Sequence, residues 1–224
     1  MYSEHPSFPQ PLDETVKVWR YMDFTKFVSL LESRSLHFTR TDRFVDDPFE
    51  GSYPKLNVLA RRIPPVGLPA EHHEVYVKAM TEDRPRMVRN MVKMVGVNCW
   101  HMNQHESAAM WSLYLKGSNG VAIQSTYRKL RDCFSGVQGD IFIGEVRYID
   151  YESEFIDGTP NAFAPFMYKR KSFEHEKEVR AAIVRPPPNV EGGGWNFEAA
   201  TFTDLRPRRG NATRRRSPPN EARQ

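Results

Sequence analysis

Cysteine is scarce in this chain: Cys99 and Cys133 are the only two among 224 residues. They lack metal-site spacing and nothing suggests that they pair, which fits a reducing compartment. No apolar run approaches the roughly 18 residues needed to span a bilayer, so no membrane partner is expected. The opening Met1-Tyr-Ser-Glu-His-Pro is polar, with no basic start followed by an apolar run. The expectation is therefore no secretory leader and a cytoplasmic location. The H-E-x-x-H zinc motif is also missing. His72 and His73 are adjacent, so on a helix they point to different sides, and no metal ligand set is expected there. No internal repeat is found.

What is present is a globular composition, with 39% hydrophobic and 12% aromatic residues and 17 prolines that imply many loops. The formal net charge is +4, but it is unevenly placed. Residues 206–224 hold seven arginines and one glutamate, or +6, leaving about −2 for residues 1–205. The basic character therefore belongs to the tail. It implies weak, salt-dependent nucleic-acid binding at that end only, and gives no reason to make the folded body a nucleic-acid binder. Residues 1–15 read as a flexible lead, 16–205 as one domain, and 206–224 as a disordered Arg-rich tail.

Along the body, Val16–Tyr21 alternates as a strand. Asp23 then caps a helix whose Phe24, Phe27, Val28 and Leu31 form an apolar stripe. A short strand is expected at Leu36–Arg40. The following loop gathers Asp42, Asp46, Asp47 and Glu50 within nine positions. Asp-Pro with a following Gly is turn chemistry; a ligand-contacting loop through Asp47 and Glu50 is one alternative, and a hard cation on these oxygens, whose spacing does not match the calcium-loop pattern, another. Residues 71–95 read as a helix broken or kinked at Pro85, with Met87, Val88, Met91, Val92 and Val95 as its buried face. Val97–Met102 is a strand placing Val97, Cys99 and His101 on one side. Ser107–Tyr114 is a short helix ending near Gly117, with Trp111 and Tyr114 on a shared face that could stack on a planar ring. Gly120–Ser125 is a strand, Thr126–Phe134 a helix, Ile141–Ile149 a long strand, and 160–171 a helix.

The stretch that organises the rest is Glu176-Lys-Glu-Val-Arg-Ala-Ala-Ile-Val184. Drawn out as a strand from Glu176, it sends Glu176, Glu178 and Arg180 to one face and Val179, Ala181 and Ile183 to the core. Two carboxylates and a guanidinium on one face read either as a site or as a solvated strand face that pairs with itself. The fold class expected is α+β: a single domain with a mixed, mostly antiparallel sheet flanked by helices.

Five short motifs, in order, carry a resemblance. They are Trp19-Arg-Tyr21, Phe44-Val-Asp-Asp-Pro-Phe-Glu-Gly51, Cys99-Trp-His101, Met110-Trp-Ser-Leu-Tyr114 with Gly120-Val-Ala-Ile123, and Lys169 through Phe173 to Glu176-Lys-Glu-Val-Arg180. Together they resemble the bacterial domain-of-unknown-function family twenty-nine seventy-one, from about Val16 to Asp204. That family supplies no activity. The layout of an early strand with an Arg-aromatic pair and a late Glu-x-Glu-Val strand is similar to ADP-ribosyltransferases. The similarity implies NAD as a substrate, anchored by Arg20, with Tyr21 or Tyr114 facing the nicotinamide. It implies Glu178 on the nicotinamide-ribose hydroxyl and Glu176 orienting an unidentified acceptor. Thr39 and Thr41 substitute loosely for the family's Ser-Thr-Ser strand, and Arg180 departs from its pattern by facing the glutamate.

A carboxylate beside the breaking glycosidic bond would stabilise an oxocarbenium-like state more than the neutral sugar. The expectation is an NAD-cleaving or ADP-ribosyl-transferring enzyme, with phage defence or toxicity as its setting. One alternative is a non-catalytic module that binds a nucleotide or a partner protein, with Arg20 and Arg180 holding an anion. Another is a metal-assisted, nuclease-like hydrolase using Asp46, Asp47, Glu176 and Glu178. Arg20, Tyr21, His101, Trp111, Tyr114 and Arg180 are the candidate binding residues, and Glu176 and Glu178 the candidate catalytic ones.

Overall fold

The late strand does form, and the rest of the sheet is laid down on both sides of it. In the computed structural model, β8 (Glu178–Val184) is hydrogen-bonded along one edge to β3 (Val95–Met102) and along the other to β5 (Ile141–Glu145), both antiparallel. Beyond β3 lie β1 (Lys17–Asp23) and the outer strand β4 (Gly120–Thr126), giving the order β4-β1-β3-β8-β5. A two-residue strand, β2 (Thr39–Arg40), also pairs with β3. The structure describes residues 1–44, 47–115, 119–156, 161, 163–189, 195–199 and 202. Expectations about Asp46, Gly117 and the tail 206–224 lie outside the described residues.

The fold is α+β, with every pairing in the main sheet antiparallel and one parallel pair, β6 (Arg147–Ile149) with β7 (Tyr168–Arg170), beside it. Alternation along β8 divides the core. Val179, Ala181 and Ile183 pack with Phe38, Tyr127 and Phe134 on one side, where α6 (Tyr127–Asp132) covers the sheet. Ala182 packs with Val95, Val97, Phe166 and Met167 on the other.

Helix boundaries follow their caps. Asp23 ends β1 and accepts from the Lys26 amide at 2.8 Å to start α1 (Phe24–Ser33), and Arg34 closes that helix in a left-handed conformation. Ser107 caps α5 (Ala108–Tyr114), and Thr126 caps α6. The expected helix at 71–95 is a run of pieces. α3 (His73–Lys78) and α4 (Arg84–Met91) follow α2 (Lys55–Ala60), and a π turn at Ala79–Asp83 absorbs the register change ahead of Pro85. Of its expected buried face only Val95 is buried, at the start of β3; Val88, Met91 and Val92 are half-buried and Met87 is 55% exposed.

Three expectations are corrected. Among the described residues of 160–171 there is no α-helix. Asn161 accepts from the amides of Phe163 and Ala164 at 2.9 Å, a short 3₁₀ turn follows at Ala164–Phe166, and the chain extends as β7. The apolar spacing was genuine, since Phe163, Phe166 and Met167 are all buried, but a coil supplies it. The strand expected over Ile141–Ile149 breaks at Val146, whose amide turns to the Glu178 carbonyl at 2.9 Å. Residues 1–15 are not a flexible lead. Tyr2 bridges Ile141, the Glu145 amide donates to Pro9 at 2.8 Å, and Phe8 is 2% exposed. β5 is an outer strand whose free edge needs partners, and the N-terminal segment provides them.

Candidate functional site

Glu178 is the first residue of β8, opposite His101 of β3, and Arg180 stands opposite Cys99. Alternation therefore places Cys99, His101, Glu178 and Arg180 on one face of the sheet. That face is closed. Arg180 is 0% exposed and Glu178 5%. The Arg180 guanidinium donates from Nε to Glu178 Oε1 at 2.7 Å and from Nη2 to Oε2 at 3.0 Å. Its Nη1 donates to Glu50 Oε1 at 2.7 Å and to the Phe166 carbonyl at 2.5 Å. This is the two-pronged geometry that suits a guanidinium between carboxylates.

Glu176 is not on the strand. Lys171–Glu176 is a 3₁₀ turn, and Lys177 follows with φ 39°, so the expected three-residue strand face begins only at Glu178. The two glutamates nevertheless meet, through Lys169 of β7. Its ammonium donates to Glu176 and, at 3.2 Å, to Glu178 Oε2. Phe173 caps that pair, with the Lys169 ammonium 5.0 Å and the Arg170 guanidinium 5.2 Å from its ring centre.

The acidic loop is the lid of this cluster. Glu50 reaches Arg180, and Asp47 accepts from Arg170 at 3.1 Å while Arg170 lies 4.6 Å over Phe49. Gly51 makes the approach possible. It sits at φ 71°, and a Cβ there would fall 2.5 Å from the Phe166 ring. Each described acid of the loop is thus neutralised by its own cation. Among the described residues no three His, Cys, Asp or Glu side chains come together as metal ligands.

Electrostatics follow from this packing. Burial alone would raise the Glu178 pKa, but Arg180 and Lys169 outweigh it and hold the carboxyl down at about 2. Burial would lower Lys169 and Arg180, yet the surrounding carboxylates raise both. Burial, followed by the nearby Glu178 charge, pushes the Cys99 thiol up and keeps it protonated.

An aromatic wall adjoins the cluster. The Tyr21 ring is 5.1 Å from Trp111, 6.5 Å from Tyr114 in stacked orientation and 6.2 Å from His101. Tyr21 is anchored by the Ser107 amide, which donates to its hydroxyl at 2.7 Å. The Tyr114 residue is 50% exposed, but its hydroxyl end is buried near Cys99, Glu178 and Glu176. Burial and those negative charges push its pKa up, so the hydroxyl stays a donor.

Three buried polar atoms of the cluster and its surroundings have no partner: Arg20 Nη1, His101 Nε2 and, in the acidic-loop lid, Arg170 Nε. β1 pairs with β3 only at Val18 and Trp19 and then parts from it, and Arg20 stands at that fork with its guanidinium 5.8 Å over the Trp100 ring. It is near Cys99 and Tyr114. His101 Nδ1 is 2.6 Å from the Glu176 carbonyl. A carbonyl only accepts, so Nδ1 carries the proton. Burial lowers the His101 pKa, which leaves Nε2 as a bare acceptor.

Sequence reasoning missed Lys169, which joins the two glutamates, and Tyr148, whose hydroxyl accepts from the Glu178 amide at 2.8 Å. A lysine seven positions before Glu176 was the available signal, hidden by reading 160–171 as helix.

Fold and cluster together define an α+β protein whose sheet carries a neutralised ionic cluster beside an aromatic wall. Comparison with protein-family models, curated proteins and solved structures returns no match, so the family resemblance rests on its five motifs.

Proposed function

We propose that this face binds a nucleotide, NAD among the candidates, through the Tyr21–Trp111–Tyr114 wall. What carries the reading is the buried, unpartnered acceptor His101 Nε2 beside that wall, together with the unpartnered donor Arg20 Nη1 at the fork between β1 and β3. Buried polar groups are nearly always satisfied, so two orphans on neighbouring strands favour a missing ligand. Stacking supplies affinity for a planar base or nicotinamide ring, and the donor–acceptor pair orients its polar edge. Arg180 has no role as an anion holder, because its donors are spent on Glu178, Glu50 and Phe166.

NAD cleavage is the second reading, and one observation favours it through Glu176 rather than Glu178. The Glu176 side chain is 18% exposed and Lys169 holds only one of its oxygens, whereas both Glu178 oxygens are engaged. A carboxylate locked by a guanidinium cannot turn its charge on a developing oxocarbenium ion.

Titration with NAD, ADP-ribose and ATP tests both readings. The expected result is a rise in Tm with at least one of them. Arg20→Gln and Trp111→Ala should each weaken binding about tenfold or more. No stabilisation by any of the three, or binding untouched by both variants, overturns the binding reading. Nicotinamide released from NAD and abolished by Glu176→Gln establishes the second.

A further inference from the structure

A second cationic cluster lies away from this face, on the helical excursion between β2 and β3. The Arg61 guanidinium carbon is 3.9 Å from the Tyr53 ring centroid, and that of Arg84 is 5.8 Å from the same centroid. Two like charges therefore share one ring. Among the described residues neither has an acidic partner, and Arg84 Nε is buried without any hydrogen-bond acceptor. In the sheet-face cluster, by contrast, Arg180 is matched by Glu178 and Glu50, and Lys169 by Glu176 and Glu178. Here no described residue supplies the counter-charge. Burial and the Arg84 charge both lower the Arg61 pKa, as expected where an anion would relieve repulsion.

An apolar groove opens beside Arg84, and Arg61 lies over Tyr53, one of its walls. It has a volume of about 170 Å³, and Tyr53, Arg84, Met87, Val88, Met91 and Phe166 are among its lining. The α4 stripe that the sequence would bury is thus left facing a hollow. A cavity of about 150 Å³ with apolar walls accepts one benzene ring. A whole nucleotide is larger than this space, a metal cation would be repelled by the two guanidiniums, and a neutral apolar molecule would leave Arg84 Nε unsatisfied.

We propose that this groove binds a small apolar acid, an aromatic or short-chain carboxylate. Its ring or chain lies against Met87, Val88, Met91 and Phe166, and its carboxylate is held between Arg61 and Arg84. Guanidinium forks suit a carboxylate, and desolvation by the apolar walls strengthens the contact. The proposal is independent of the nucleotide reading, since it shares no residue with the Tyr21–Trp111–Tyr114 wall.

Benzoate and benzyl alcohol, nearly equal in shape and different in charge, separate the contributions. Each is titrated into the full chain with labelled methionine methyls, reading the Met87 and Met91 signals, and affinities are measured by calorimetry. Benzoate should shift both methyls and bind at least about tenfold tighter than benzyl alcohol. Arg84→Gln and, separately, Arg61→Gln should bring that ratio close to one, and Met91→Trp should abolish binding of both probes. Arg20→Gln should leave both affinities unchanged. Circular dichroism confirms that each variant is folded, and either arginine variant suffices if the other is not. Equal affinity for the two probes, a preference that survives the arginine variants, or no methyl shift overturns the proposal.

Discussion

Arg180 shows how one residue can look like a site and serve as a brace. Its guanidinium is fully buried between two carboxylates and a carbonyl, while Lys169 takes up the remaining charge of Glu178. Removing ions from water is costly, and only the saturated geometry repays it. The Glu178 carboxyl is held at about 2, below its ordinary 4.5, so ionised Glu178 stabilises the fold fully above about pH 4.5. As pH falls from there towards about 2, protonation removes that stability, a loss on the order of 3 kcal/mol. Urea unfolding across this range should show stability falling on acidification. In Arg180→Met the uncompensated acids should cost about 3–5 kcal/mol at neutral pH, and the downward slope with acid should disappear because protonation now relieves the repulsion. Arg180→Lys should not rescue it, as an ammonium lacks the planar fork. A flat profile in the parent protein would show that the pair contributes nothing.

At the scale of elements, what could be read in advance depended on whether local pattern and tertiary partner agreed. β8 was legible because Val179, Ala181 and Ile183 alternate with charged residues, and the core indeed takes those three. Its neighbours β1, β3 and β4 were legible for the same reason, and the cap at Asp23 from its position ahead of an apolar stripe. The residues 163–170 were not, since Phe163, Phe166 and Met167 satisfy helical spacing while Asn161 and the pairing with β6 impose a turn and a strand. The site was half legible. Tyr21, Trp111, Tyr114, His101, Glu178 and Arg180 do gather, but ion pairing across distant segments, such as Glu50 with Arg180, leaves no periodic trace. The docking of the N-terminal segment was equally invisible, because it is backbone pairing to β5. It depends on Gly144, where a Cβ would lie 2.6 Å from a Phe8 backbone atom. Gly144→Ala should therefore lift the segment and cost about 1–3 kcal/mol. Hydrogen exchange should show faster loss of the Ser3 amide, and an unchanged Ser3 would place the anchor elsewhere.

For the whole molecule, the contrast is between a sheet with buried strands and a helical excursion that lies open. β8 is buried at six of its seven positions and β3 at six of eight, whereas α3 and α4 have no buried residue. Leu56, Val58, Leu59, Ile63, Val75 and Met87 are all exposed along the excursion. Few apolar contacts mean a low local opening free energy, so the two parts should not exchange as one unit. Amides of residues 73–91 should exchange at least about a hundredfold faster than those of β3 and β8, a gap of roughly 3 kcal/mol in opening. Saturating benzoate should narrow that gap by protecting 84–91, since a ligand that binds only the folded excursion raises its opening cost. A nucleotide on the sheet face should protect 108–114 instead and leave 84–91 unchanged. Mass-resolved exchange with each ligand separates these patterns. Uniform slow exchange across 73–91 and β8 would mean that the excursion unfolds only with the sheet, its open apolar face notwithstanding.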